Sequence, residues 1–420
     1  MLKKRSRFFI LTLVSSMLMI SACTGPGKLS YRNLADFYKP AQQLKDLSYA
    51  VYNLNDSVSH LYIRFPMSAM ARVTDKDKDK ERVLPAVRFR FSYQLFDGYE
   101  QGKLVDSASL TVVDSLFNNE YFEDSVTVSA VQGKNYILDL ALADLNAKKN
   151  YQQFVLLPKS GRGTAADYLL TGADGRPLMR NYISRNEPVR FRLRNTDEFL
   201  IKLNRIALSD NHAALSPFAF SEPETSGKLD SLNMSIQTSR GISDVFLLKE
   251  EGVYSTAGGQ DDGFRLFRFY DGFPRIGSPS VMRESLRYIA SDAEYASLFN
   301  TTPRAAVDRF WMDLTGDSER ALNQIRRYYS RVEQANELFT VACEGWKSDR
   351  GMIFIVFGPP FVVYRNSLVE EWTFGEPGNP LSVRFTFRLA ESRNGIADYI
   401  LLRSDEYRTP WHLAVSNWRR

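Results

Sequence analysis

The densest group of side chains that could do chemistry lies in residues 344–360, EGWKSDRGMIFIVFGPP. An indole, a hydroxyl, a carboxylate and a guanidinium follow one another within a few positions, at Trp346, Ser348, Asp349 and Arg350. Such groups exchange hydrogen bonds and hold charged ligands. Three interpretations are open: a structural corner, a partner- or ligand-binding site built on that corner, and a catalytic loop.

The rest of the sequence contains few residue patterns that are typical of catalytic or metal sites. The histidines His60, His212 and His412 are far apart, so they lack the spacing of a His–His metal site. The sequence contains no GxSxG elbow and no phosphate-binding glycine loop. Adjacent acids, Asp261–Asp262 and Glu370–Glu371, would point to opposite faces of a strand. We therefore expect no metal, no cofactor and no catalytic residue, while a hydrolase with scattered carboxylates stays open as an alternative.

The amino terminus has the pattern of an export signal. Basic residues precede an apolar run, Phe8 to Ile20, that is too short to span a bilayer and is followed by small residues. The sequence ISAC at Ile20–Cys23 resembles the bacterial lipobox, whose cysteine becomes the first residue of the mature chain and carries lipid. An ordinary signal peptide with a chance cysteine is the alternative. We predict a signal over residues 1–22, lipidation of Cys23 and a tether over residues 23–43.

The predicted signal also accounts for the basic charge of the chain. It holds four of the 54 Lys and Arg residues and none of the 49 Asp and Glu, so the mature chain carries a net charge of +1. This balance does not favour nucleic-acid binding. With Cys23 lipidated, only Cys343 remains, which excludes an intrachain disulfide and indicates a small buried side chain.

Hydrophobic periodicity divides the mature chain into three parts. Residues 44–160 and 165–279 alternate apolar and polar side chains, as in VRFRFSYQLF and PVRFRLRN, which predicts two antiparallel β-sandwich (Ig-like) domains. Residues 280–420 change to a helical period and then return to strands, which predicts helices followed by a carboxy-terminal α+β domain. The fold class is therefore multidomain and mainly β.

The opening stretch has the composition of a corner between helix and sheet. We expect Gly345 to end the preceding helix with a positive φ, and Trp346 to pack over the junction with its N–H on an acceptor. Ser348 and Asp349 would bond nearby backbone N–H groups. Residues 349–351 would then turn into a covered strand, Met352–Phe357, which the following Gly-Pro-Pro ends because proline cannot donate to a ladder.

This part of the chain, from the Tyr/Arg/Asn-rich helix to EEWTF, resembles the GWxTD domain of Bacteroidetes lipoproteins. The matching residues after the helix are Gly345, Trp346, Asp349, Arg350, Gly351, Gly358, Pro359, Pro360, Glu371 and Trp372. Ser348 replaces the signature Thr and keeps its hydroxyl. The Asp-Pro-rich run expected after Phe310–Trp311 is missing. We expect Glu371 to pair with Arg350 or with an arginine of residues 326–331.

The resemblance implies architecture and location more than mechanism. We expect a non-enzymatic outer-membrane lipoprotein that acts as a protein-interaction or assembly module, with another envelope protein as partner. The sequence has no acidic cluster after Cys23, which favours a periplasm-facing anchor over the cell surface. A glycan-binding lipoprotein is an alternative, since aromatic residues are plentiful and sandwich domains are expected.

Overall fold

The computed structural model describes residues 33–39, 44, 47–73, 86–98, 102–114, 120–207, 213–220, 229–256, 263–376, 378–379, 382–391 and 396–419. The predicted signal and Cys23 lie outside these residues, and so do His212 and Asp261–Asp262. In the described part of the chain, no helix is long and apolar enough to cross a membrane.

The first β domain is a sandwich of two antiparallel sheets. Its strands are β1 (Ser48–Asn53), β2 (Val58–Pro66), β3 (Arg72–Val73), β4 (Ala86–Phe96), β5 (Leu104–Asp114), β6 (Tyr121–Ser129), β7 (Tyr136–Asp144) and β8 (Lys149–Leu157). One sheet has the order β1-β2-β6, and the other has β3-β4-β7-β8 with β5 also on β4. Alternate residues of β4, from Val87 to Leu95, are buried between the sheets, which confirms the predicted period of two.

The second β domain is built from a path of seven antiparallel strands. They are β9 (Tyr168–Gly172), β10 (Val189–Leu193), β11 (Leu200–Ile206), β12 (Leu229–Ser239), β13 (Ile242–Ser243), β14 (Gly252–Ser255) and β15 (Arg265–Arg268), in the order β15-β14-β11-β12-β13-β10-β9. Strand β12 pairs with β11 and then, at Thr238 and Ser239, with β13. Strand β12 therefore joins the two halves of the seven-stranded path, β15-β14-β11 and β13-β10-β9. The two halves share one core, to which β9, β10, β11 and β14 all contribute.

Helices follow the two sandwiches. They are α1 (Pro279–Ser285), α2 (Asp292–Ser297), α3 (Pro303–Thr315), α4 (Ser318–Phe339), α5 (Asp349–Phe357) and, at the end of the chain, α6 (Arg408–Trp418). The predicted starts are confirmed: proline opens α1 and α3, and Ser291 with Glu294 forms the capping box of α2. The apolar stripe of α4 is buried from Tyr328 to Phe339.

A four-stranded antiparallel sheet completes the carboxy-terminal α+β domain. Its strands are β16 (Val362–Arg365), β17 (Val369–Phe374), β18 (Val383–Glu391) and β19 (Ala397–Leu401), in that order. The sheet and the helices share a core that contains every tryptophan of the sequence: Trp311, Trp346, Trp372, Trp411 and Trp418.

Residues 33–39, assigned from the sequence to the tether, pack against the first β domain and against the carboxy-terminal domain. Ala35–Tyr38 form a 3-10 turn, and Ala35 and Tyr38 are buried in the core of the carboxy-terminal domain. The Leu34 N–H donates to the Val363 carbonyl at 2.8 Å. The Phe37 ring meets Phe154 of β8 edge to face. This segment therefore connects the first β domain to the last domain.

Candidate functional site

The family signature, residues 345–349, begins as one tight turn and leads directly into a helix. Gly345–Lys347 form a single 3-10 turn, and α5 follows at once. Ser348 caps α5, because its Oγ accepts the Gly351 N–H at 3.0 Å and donates to the Gly345 carbonyl at 2.7 Å. The predicted bond from Ser348 to a nearby backbone N–H is confirmed.

The predicted strand at Met352–Phe357 is wrong, because these residues form most of α5. Every side chain from Asp349 to Val356 is buried. A helix that is buried on every side has no polar face, so its sequence shows neither a period of two nor one of 3.6. The evidence for a helix was at its start, where a cap residue, Ser348, precedes an acidic first turn.

Two glycines are required by close approach rather than by backbone conformation. Gly345 lacks the predicted positive φ, and α4 ends well before it, at Phe339. A Cβ atom on Gly345 would lie 1.9 Å from the Ala335 carbonyl oxygen of α4. A Cβ atom on Gly351 would lie 1.9 Å from the Gly345 carbonyl oxygen. The turn thus lies directly on α4, and α5 lies directly on the turn.

The glycine and prolines after the apolar run end a helix rather than the strand that we predicted. Gly358 has a φ of 87° at the carboxy terminus of α5, and Pro359 and Pro360 follow. Arg331 of α4 donates to the Ile355 carbonyl at 2.9 Å, which satisfies one of the free carbonyl groups of the last turn. Burial lowers the pKa of Arg331 to about 10, and the nearby Arg327 charge adds to the effect.

Arg350 lies at the centre of a buried ion cluster. Its guanidinium group is 2.9 Å from Asp398 and 3.4 Å from Glu370. A second guanidinium, of Arg365, lies 3.7 Å from Glu370. The side chains of Arg350, Glu370 and Asp398 are each at most 7% exposed, so their charges are balanced by one another rather than by water.

Burial and ion pairing oppose one another in this cluster. Burial favours a neutral Glu370, but the guanidinium groups of Arg365 and Arg350 outweigh it and hold the pKa of Glu370 below its usual value. At Asp398 burial prevails over Arg350 and raises the pKa. Burial would lower the pKa of Arg350, yet Asp398 and Glu370 raise it, so Arg350 stays charged.

The prediction that Glu371 pairs with Arg350 is wrong, because the acid that contacts Arg350 is the adjacent residue, Glu370. Glu370 is fully buried and accepts hydrogen bonds from Trp372 Nε1, at 2.7 Å, and from the Tyr38 hydroxyl. Glu371 points to the other face of the sheet, 3.9 Å from Arg384. Residues two apart share a face of a strand, so Glu370, and not Glu371, lies on the core side with the buried Trp372.

Asp349 joins α5 to the end of the sheet. One oxygen accepts the Leu401 N–H at 2.8 Å, and the carboxylate also holds the Arg403 guanidinium at 2.7 Å. We predicted a nearby backbone donor, but the donor lies on β19, far along the chain. Only the fold brings Asp349, Arg403 and Asp398 together, so no local pattern identifies Arg403 or Asp398 as members of the site.

Trp346 packs inside the junction, as predicted. Its backbone N–H donates to Asn336 at 3.2 Å, and its carbonyl accepts the Tyr288 hydroxyl at 2.8 Å. Within the described residues its indole N–H has no hydrogen-bond partner, so the acceptor that we expected is not found. The indole is 1% exposed, which places it in the core rather than at a binding surface.

The geometry of the signature fits a joint better than a catalytic centre. Trp346, Ser348, Asp349 and Arg350 are each at most 7% exposed, and the last three are held by named partners in the core. A substrate would have no access to these groups without unfolding the junction. Among the described residues, no group of three or more His, Cys, Asp or Glu side chains is placed to hold a metal ion.

A cleft of about 660 Å³ lies between the two β domains. Four acids are in its lining: Asp56, Asp167, Asp197 and Glu198. Arg194 pairs with Asp56 across the domain boundary and with Asp167, at 3.1 Å, within the second β domain. Asn53 also donates to Asp167, at 2.9 Å. These contacts connect the domains, so we interpret the cleft as an interdomain joint.

Comparison with known proteins identifies a family for the carboxy-terminal part of the chain. The model of the family described as the GWxTD domain matches residues 252–420, which begin with β14 of the second β domain. No curated protein matches the chain significantly. A solved structure of red sea bream transglutaminase aligns at 7% identity over 51% of this chain and 28% of that protein. Its TM-score is 0.18, so this likeness carries no argument about fold or activity.

Proposed function

We propose that this chain, whose residues 252–420 form a GWxTD domain, is a non-enzymatic lipoprotein of the cell envelope that acts as a protein-interaction or assembly module. Its anchor is a lipid on Cys23, the last residue of the lipobox-like ISAC sequence. The membrane is the outer membrane, and the chain faces the periplasm.

One observation carries this proposal: the GWxTD domain holds two segments from distant parts of the chain by their main-chain groups. Residues 33–38 lie along β16, where Leu34 donates to Val363 and the Asn33 side chain accepts the Val363 N–H at 2.9 Å. Residues 213–218, from the β11–β12 connection, lie over the signature turn, where Ala214 donates to the Lys347 carbonyl at 2.9 Å. Holding separate segments through main-chain hydrogen bonds is the work of an interaction module.

The two rival functions receive less support. Glycan binding was suggested by the abundance of aromatic residues, but all five tryptophans are buried in one core and form no exposed stacking platform. Hydrolysis needs accessible carboxylates, whereas Asp349, Glu370 and Asp398 of the signature region are buried in ion pairs. In the interdomain cleft, Asp56 and Asp167 are paired with Arg194.

Crosslinking in cells that produce the lipoprotein tests the proposal. The wild-type chain, crosslinked and purified, should bring down specific outer-membrane proteins, identified by mass spectrometry. The matched control is Cys23→Ser, which should lose lipid labelling and leave the membrane fraction. Recovery of no envelope protein above that control would contradict the interaction role, and lipid labelling that survives Cys23→Ser would contradict the anchor.

A further inference from the structure

The segment of residues 213–218, here called the strap, lies across the GWxTD domain and ends in a turn at Pro217 and Phe218, where the Ala219 N–H donates to the Ser216 carbonyl at 3.0 Å. Its sequence is AALSPF. Besides the bond from Ala214 to Lys347, the Leu215 carbonyl accepts from Arg403 at 3.3 Å and the Pro217 carbonyl accepts from the Ser404 N–H at 3.2 Å. Three main-chain groups of the strap are thus bound, as in the recognition of a peptide ligand.

An aromatic side chain anchors the end of the strap. The Phe218 ring lies against the first turns of α6, with the Arg408 guanidinium 4.4 Å from its centre. The His412 ring is 5.5 Å away on α6. Pro217 is buried, whereas the side chains on either side of it are only partly covered. The site therefore combines a main-chain track with one proline–aromatic pocket.

The signature residues form one wall of this groove. Lys347, the variable position of the signature, supplies the carbonyl that accepts from Ala214. Asp349 binds Arg403 at 2.7 Å and so directs that guanidinium toward the Leu215 carbonyl. In this arrangement Asp349 is a positioning residue, which acts on the strap through Arg403.

We propose that the groove formed by Lys347, Arg403, Ser404, Arg408 and His412 is a peptide-binding site that the chain fills with its own strap. A partner protein that presents a segment with a Pro-aromatic pair in such a turn competes with the strap for this groove. This inference deepens the proposed interaction role, since it names the surface and the chemistry of the partner segment. The strap belongs to the same chain and therefore has a high effective concentration at the groove. To displace it, the partner segment must bind the groove more tightly than the strap or be present at a high local concentration.

Peptide binding to the purified full chain tests the groove. The probe is a fluorescent peptide, AALSPFAF, which is the sequence of residues 213–220. In one variant these residues are replaced by Gly and Ser over the same length. Polarisation should show binding to this variant at least about tenfold tighter than to the wild type, because the site is no longer occupied in cis. A peptide with the Phe218→Ala change should bind about tenfold more weakly, since its anchor is lost.

Matched variants separate the groove from non-specific binding. In the strap-replaced background, Arg408→Ala should weaken peptide binding about tenfold, and Arg384→Ala, an exposed arginine on β18, should not change it. The point variant Phe218→Ser provides a second chain that keeps most of the strap, and it should also bind the peptide better than the wild type. If neither variant binds the peptide while tryptophan fluorescence remains native, the groove proposal is overturned. Crosslinking to envelope proteins could still succeed in that case, so the two proposals fail separately.

Discussion

At the residue scale, Gly345 and Gly351 determine how closely the signature turn approaches its neighbours. In each alanine variant a Cβ atom would be 1.9 Å from a backbone oxygen, which a side-chain rotation cannot relieve. We expect Gly345→Ala and Gly351→Ala each to lower the free energy of unfolding by about 3 kcal/mol or more. Urea unfolding followed by tryptophan fluorescence reports this directly, because all five tryptophans lie in the same core.

Gly277→Ala is the matched control for both substitutions. Nothing lies within 4 Å of the position that its Cβ would take. Gly277→Ala should change the free energy of unfolding by less than about 0.5 kcal/mol. If Gly345→Ala and Gly277→Ala unfold at the same urea concentration, close approach is not the reason for glycine in the signature.

Glu370 and Glu371 provide a second comparison between adjacent residues. Glu370→Gln keeps the shape of the side chain but removes the buried negative charge that contacts both Arg350 and Arg365. We expect the free energy of unfolding to fall by about 3 kcal/mol, since one partner of a buried ion pair is removed. Glu371→Gln, which breaks only a 3.9 Å contact with the exposed Arg384, should cost less than about 0.5 kcal/mol. Equal effects of the two substitutions in urea unfolding would contradict the assignment.

The lowered pKa of Glu370 also predicts a dependence on pH. The pKa is lower in the folded state than the ordinary value of 4.5, so the unfolded state takes up the proton first as the pH falls. The stabilisation by Glu370 is therefore complete above pH 4.5 and is lost as the pH falls toward the folded pKa. Midpoints of urea unfolding between pH 7 and pH 3 should fall less steeply for Glu370→Gln than for the wild type. Parallel curves for the two chains would contradict this sign.

At the element scale, α5 shows which parts of the fold a single sequence can and cannot specify. Strands such as β4 and β18 have one buried face, so their alternation predicted both their structure and their core residues. Helix α5 lies inside the domain, and its apolar run from Met352 to Phe357 lacks any period. The partners of its charged residues come from β17 and β19, which only the folded chain brings near. The sequence therefore predicted the location of the corner but neither its helix nor its ion cluster.

Ser348 tests the assignment of α5 as a capped helix. Ser348→Ala removes one acceptor for the Gly351 N–H and one donor to the Gly345 carbonyl, both in a buried position. We expect a loss of about 1–2 kcal/mol in urea unfolding. Ser348→Thr, which restores the residue of the family signature and keeps the hydroxyl, should stay within about 0.5 kcal/mol of the wild type. An alanine variant as stable as the threonine variant would show that the cap contributes nothing.

At the scale of the whole molecule, a buried lysine lies near the joint between the two β domains. Lys159 is fully buried and donates to Ser59 at 2.9 Å. Burial, with the nearby charge of Arg194, lowers its pKa from 10.5 to about 8. Between these values the unfolded state binds more protons than the folded state, so the wild type should gain about 2 kcal/mol of stability from pH 8 to pH 10.

Scanning calorimetry between pH 7 and pH 10 measures this gain as a difference between variants. The unfolding temperature of the first β domain should rise with pH in the wild type relative to Lys159→Met, in which no amine is buried. Lys202→Met, on an exposed position of β11, should keep the pH dependence of the wild type. A Lys159→Met chain that follows the wild type at every pH would exclude a titrating amine at the joint.

If Cys23 carries the proposed lipid, the segment after it would set the distance of the GWxTD domain from the membrane. Asn33 lies ten residues after Cys23 in the sequence. It is hydrogen-bonded to Phe361, just before β16, and to Val363 of β16. Extended chain covers at most about 3.5 Å per residue, so a lipid on Cys23 would hold the GWxTD domain within about 35 Å of the bilayer. Tyr38 secures this segment, since its ring is buried against Trp372 and its hydroxyl donates to Glu370.

Energy transfer to the bilayer tests this arrangement with the lipidated chain in vesicles. A donor dye on Leu413→Cys, an exposed position of α6, should transfer efficiently to acceptor lipids. Tyr38→Ala removes the aromatic anchor and lengthens the free chain, so transfer should fall as the GWxTD domain moves away. Lys39→Ala, which removes only an exposed ion pair with Asp36, is the control and should leave transfer unchanged. Equal transfer from the Tyr38→Ala and Lys39→Ala chains would mean that the docked segment does not set the distance between the domain and the membrane.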